Sequence, residues 1–105
     1  MNQPLLPIVC TLQPAAFAQR RTDLLDRVRA HVREQRVLDD GVALRFDGDP
    51  AHREDLLEVV RLERQCCAFL TIRLTVSPAG GPLWLELTGP PGTASCIRDE
   101  MGLAT

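Results

Sequence analysis

The sequence predicts an α+β fold: a ferredoxin-like β-α-β-β-α-β order extended by a fifth strand and a short C-terminal helix, with the helices on one face of an antiparallel sheet. Three observations predict it. Apolar residues alternate with polar ones around Val42, Leu44 and Phe46, around Ile72, Leu74 and Val76, and around Leu83, Leu85 and Leu87. That period of two marks strands buried on one side only. Two other segments, Phe17 to Val32 and Leu56 to Leu62, carry apolar residues at helical spacing instead. Turn signals separate them, including Asp40-Gly41, Asp49-Pro50 and the run Pro78-Ala79-Gly80-Gly81-Pro82. With 105 residues, 45% of them hydrophobic and 25% charged, the chain reads as one domain over residues 1–105.

Each element has its own warrant. Residues 5–12 read as the first strand, with Ile8, Cys10 and Leu12 on one face and Val9 and Thr11 on the other. Pro14 suits the opening of a helix that carries Phe17, Leu24, Leu25, Val28 and Val32, its wet side covered by the arginines between Arg20 and Arg36. Val37 and Leu38 form a short second strand, joined by a tight turn to a third over residues 42–46. Asp49 caps a second helix with Pro50 at its first position, and that helix ends near Cys67. Residues 70–76 make the fourth strand and residues 83–88 the fifth, which the fold places at the sheet edge. Trp84 then projects from the face away from the helices, beside Thr71, Arg73, Thr75, Ala43 and Arg45. An edge strand carrying a large aromatic can pair with its twofold mate, so a homodimer through this strand or this sheet face is expected. Thr93 is placed to cap a last helix holding Ile97 and Met101.

Composition excludes several functions. The formal net charge is -2 and no basic run exists, which removes the electrostatic footprint of a nucleic-acid binder. Arginine supplies every basic residue, the bias of a GC-rich bacterial sequence. No apolar stretch approaches a membrane span, and the first residues lack the basic and apolar regions of a secretory signal. The reading is therefore a cytoplasmic protein, in which thiols stay reduced and the 4 cysteines are not a disulfide framework. Gly89-Pro90-Pro91-Gly92-Thr93 lacks the lysine of a phosphate-binding loop. His31 and His52 read as exposed surface residues without metal-ligand spacing. No serine sits in a nucleophile elbow and no carboxylate pair marks hydrolysis, so the reading leans away from an enzyme.

The adjacent cysteines Cys66 and Cys67 are the most informative feature. In the ferredoxin-like order the first strand runs antiparallel beside the fourth, which brings Cys10 to the corner where Cys66 and Cys67 end the second helix. Glu63 shares a helical stripe with Leu56, Val60 and Cys67, so it points towards the core and needs a partner. An arginine of the first helix, a backbone amide, the thiols or a bound ion could serve. Neighbouring Cα atoms ~3.8 Å apart fall short of the ~4.4–6.8 Å usual in disulfides, so a Cys66–Cys67 bond would be strained. The helix C-terminus and Glu63 both disfavour a thiolate, while Arg61 and Arg64 face solvent. That setting suits a soft metal, which displaces the thiol proton, better than a reactive nucleophile. The reading is a soft-metal or metalloid binding protein using Cys66, Cys67 and Cys10 with Glu63 beside them, for mercury, arsenite, copper(I) or zinc. A thiol redox or thiol-transfer enzyme, and an interaction module with structurally buried cysteines, are the alternatives.

The run Leu62-Glu63-Arg64-Gln65-Cys66-Cys67-Ala68-Phe69-Leu70, with Arg73-Leu74-Thr75-Val76 and Leu85-Glu86-Leu87-Thr88-Gly89-Pro90 after it, resembles a group of small uncharacterised bacterial proteins. Their pattern is Glu-Arg-x-Cys-Cys-x-Phe-Leu followed by a hairpin and a Gly-Pro turn. Ile8-Val9-Cys10-Thr11-Leu12 is similar to their N-terminal strand, and Ala68 stands where many members carry proline. Their association with heavy-metal resistance surroundings implies thiol-mediated metal binding.

Overall fold

The computed structural model describes residues 15–101, without the side chains of Phe17, Cys66, Glu100 and Met101. The strand expected over residues 5–12, and Cys10 with it, lies outside the described residues. In chain order the elements are α1 (Ala15–Ala30), β1 (Glu34–Leu38), β2 (Gly41–Phe46), α2 (Pro50–Cys66), β3 (Thr71–Val76), a turn of 3-10 helix (Pro78–Gly80), β4 (Leu83–Thr88) and α3 (Thr93–Met101). As the turn residues require, β1 and β2 form a hairpin with Leu38 opposite Gly41. The Asp49 side chain accepts a hydrogen bond from the Ala51 amide at 2.7 Å, and Pro50 fills the first position of α2, where its missing N–H costs nothing.

The chain is thus α+β, and the four described strands make one antiparallel sheet in the order β1-β2-β4-β3. This corrects the ferredoxin-like order, which puts the N-terminal strand between residues 42–46 and 70–76 and leaves residues 83–88 at an edge. Instead β4 fills the central place, paired with β2 on one side and β3 on the other. Burial explains the exchange. Leu83, Leu85 and Leu87 are all buried, whereas on the same face of β3 Ile72 and Leu74 are half-buried and Val76 is exposed, which suits the outermost of the described strands. A dimer through the edge of residues 83–88 is therefore closed off, because both sides of β4 are already paired.

The inner face of the sheet packs Val42, Leu44, Phe46, Leu83, Leu85 and Leu87 against Leu24, Leu25 and Val28 of α1, Leu56, Val59 and Leu62 of α2, and Ile97 of α3. Trp84 lies on the outer face in register with Arg45 and Thr75, as expected. The Arg36 guanidinium lies over its ring, 4.7 Å from the centroid, and covers part of it. Beside it, Glu34 is held below the ordinary carboxylate range by hydrogen bonds from Arg36 and then Arg45. The stabilisation this gives is present above the ordinary carboxylate pKa and is lost as pH falls through the lowered value.

Ion pairs show that α1 and α2 run antiparallel, since Arg20 meets Glu58 and Arg27 meets Asp55. The end of α1 thereby crosses the start of α2. His31 and His52, expected as separate surface residues, are half-buried with ring centroids 4.3 Å apart. No helix of the described residues is long and apolar enough to cross a membrane.

Gly41 marks the tightest backbone approach in the sheet. A Cβ there would lie 1.8 Å from the Leu87 carbonyl oxygen, so β2 and β4 would have to separate. Gly41→Ala should cost about 3 kcal/mol, the upper range for overpacking. Gly80→Ala, at φ +72 with nothing within 4 Å, should cost only about 1 kcal/mol of backbone strain. Urea midpoints of the two variants check this; equal shifts would mean that the β2–β4 contact is not tight.

Candidate thiol site

The site forms where α2 hands the chain to β3. Cys67 caps α2, its amide donating to the Glu63 carbonyl oxygen at 2.7 Å. The Leu70 amide then bonds the Cys67 carbonyl oxygen at 3.1 Å, turning the backbone into β3. Thr71 at the start of β3 faces Thr88 at the end of β4, so the residues before the one and after the other share one end of the sheet. That register sets α3 beside Cys67. The loop between β4 and α3 is fixed by the Gly89 amide on the Asp40 carbonyl oxygen at 2.9 Å. Thr93, expected as a cap, is the first residue of α3; it is buried, and its hydroxyl donates to the Pro90 carbonyl oxygen at 2.6 Å.

Cys67 is 3% exposed and forms a small apolar cluster with Phe69, against which Leu70 and Cys96 pack. No disulfide involves Cys67 or Cys96. Both line a cavity of about 320 Å³, open on one side, with Arg21, Glu63, Phe69 and Ile97 among its walls.

Glu63 is 5% exposed and meets the requirement that its stripe imposed. Arg21 Nε donates to its Oε1 at 2.9 Å and Arg21 Nη2 to its Oε2 at 3.3 Å, a bidentate pair. The same Nη2 also donates to Cys67 Sγ at 3.8 Å. Arg21 is thus not on the wet side of α1 with its neighbours; its side chain is 13% exposed. Its guanidinium thus bridges the Glu63 carboxylate and the Cys67 sulfur. Arg61 and Arg64 are exposed, as expected.

Of the residues singled out by sequence, the structure brings Glu63 and Cys67 together. Cys66 is the last residue of α2, but its side chain lies outside what is described, as does Cys10 altogether. Among the described residues, no three His, Cys, Asp or Glu side chains form a metal-holding group. Sequence reasoning offered an arginine of the first helix as one partner for Glu63 without naming it, and did not place Cys96 at the site. Arg21 lies three, four and seven residues before Leu24, Leu25 and Val28, on the buried stripe of α1. Cys96 reaches the Cys67 end only through the β3–β4 register, which no local sequence pattern records. Compared with known proteins, no family model, no curated protein and no solved structure matches the chain.

Removing one partner of a buried ion pair leaves the other charge uncompensated, so Glu63→Gln should cost about 3 kcal/mol. Glu58→Gln, whose partners Arg20 and Arg61 are exposed, should cost well under 1 kcal/mol. The double change Arg21→Leu with Glu63→Leu should recover most of the loss. Urea unfolding of the three variants tests this, and equal losses from Glu63→Gln and Glu58→Gln would contradict a buried pair.

Proposed function

We propose that this chain binds a soft metal ion or metalloid through cysteine thiolates at the Cys67 end of the sheet, with mercury, arsenite, copper(I) and zinc as the candidate ions. The observation that carries the reading is a buried thiol, Cys67, that accepts a hydrogen bond from Arg21 in the wall of a cavity. A thiophilic ion displaces the thiol proton, and Arg21 balances the charge left on sulfur before the ion arrives. Glu63 acts through Arg21, fixing the guanidinium with two hydrogen bonds. Cys66, next in the chain, and Cys10, on its expected strand, are proposed as further thiolates.

The absence of a Cys-x-x-Cys motif favours this reading over thiol transfer. The resemblance to small bacterial proteins with a Glu-Arg-x-Cys-Cys-x-Phe-Leu pattern supports it as well, as does the cytoplasmic location proposed for the chain, where thiols stay reduced. A homodimer is proposed on the outer sheet face around Trp84, since β4 has no open edge. Light scattering should show a dimer at micromolar concentration that Trp84→Ala weakens, and a monomeric wild type would remove the dimer.

Intact mass after incubation with mercury, arsenite or zinc tests the function. The wild type should gain one ion that survives desalting, and Cys67→Ser should gain none. A wild type that takes up no ion contradicts the reading.

A further inference from the structure

We infer that residues 5–12 form a fifth strand along the far side of β3, antiparallel to it, with Ile8, Cys10 and Leu12 as its bonded residues. The strand rests on no metal, yet it brings Cys10 to the end of the sheet where Cys67 lies.

Chain direction comes first. α1 begins at the Cys67 end of the sheet, since Arg21 in its second turn bonds Glu63 and Cys67. β3 starts at that same end, so a strand leading into α1 ends where β3 begins and runs opposite to it. Gln13 and Pro14 separate residue 12 from α1, within the usual strand-to-helix connection of about 2–6 residues. The hand of the connections then selects the edge. β2 and β3 are parallel, with β4 between them, and α2 joins them across the helix-covered face. Parallel strands joined by a helix in this way cross over right-handed. A strand entering α1 is parallel to β1, and over the same face it keeps that hand only from the β3 side of the sheet. The places between β1 and β3 are filled, which leaves the far side of β3.

Residue chemistry agrees. Pro7 lacks an amide hydrogen and belongs on an edge strand, so the interior place of the ferredoxin-like order does not suit residues 5–12. Backbone groups alternate sides along a strand; with Pro7 facing outwards, Val9 and Thr11 do too, and Ile8, Cys10 and Leu12 face β3. These three share one face, and on the helix side they extend the apolar row of β3. That row is incompletely covered by the described residues: Ile72 and Leu74 are half-buried and Val76 is 50% exposed. At the other edge, β1 carries the paired charges of Glu34 and Arg36, which guard against further pairing.

Nuclear magnetic resonance of the isotope-labelled full chain, kept free of metal, tests the strand separately from the soft-metal reading. Cross-strand Hα contacts should join residues 5–12 to residues 71–76 within one chain. The amides of Ile8, Cys10 and Leu12 should exchange about tenfold slower, or more, than those of Val9 and Thr11. Ile8→Pro should expose the β3 amides that point away from β4, while Val9→Pro should leave them protected. Contacts of residues 5–12 with residues 34–38, uniformly fast exchange over residues 5–12, or a mixed-label sample in which β3 pairs with a second copy would each overturn the assignment. So would equal effects of the two proline changes on folded protein; if either variant fails to fold, the wild-type contacts decide.

Discussion

The buried Arg21–Glu63 pair is the constraint on which the thiol end of this molecule depends. It ties α1 to α2 across a sequence separation of 42 residues with two parallel hydrogen bonds. A carboxylate at 5% exposure is tolerated only because that guanidinium meets both of its oxygens. One nitrogen of the guanidinium also reaches Cys67, so the group that satisfies Glu63 sets the charge around the sulfur. The pair adds little net stability over an apolar replacement, but it fixes where a cation stands relative to a thiol.

Sheet topology supplies the other half of the site. With β4 at the centre, its hairpin with β3 carries α3 to the end where α2 stops. Cys96 thereby arrives beside Cys67 from the far end of the sequence.

Much of this was legible in the residues, for identifiable reasons. Alternation at Leu83, Leu85 and Leu87 and helical spacing around Leu56 to Leu62 are local patterns, and the corresponding elements occur where those patterns lie. The stripe of Leu56, Val60, Glu63 and Cys67 placed Glu63 inside, because helical period fixes direction without knowledge of the partner. Strand order was not legible, since β2 can pair with either of two apolar strands and only their relative burial decides. Arg21 was misjudged because arginine is usually solvated, and its position on the stripe of Leu24, Leu25 and Val28 outweighs that tendency. The meeting of His31 with His52 depends on the antiparallel crossing of α1 and α2, which no single-helix pattern records.

Anomalous diffraction at the mercury absorption edge, from crystals of the full chain grown with one equivalent of mercury(II), tests the central claim most directly. The account predicts a single strong peak in the cavity walled by Arg21, Glu63, Cys67 and Cys96, on the Cys67 sulfur. A crystal without mercury in that cavity, or with its ion on surface groups alone, would contradict it.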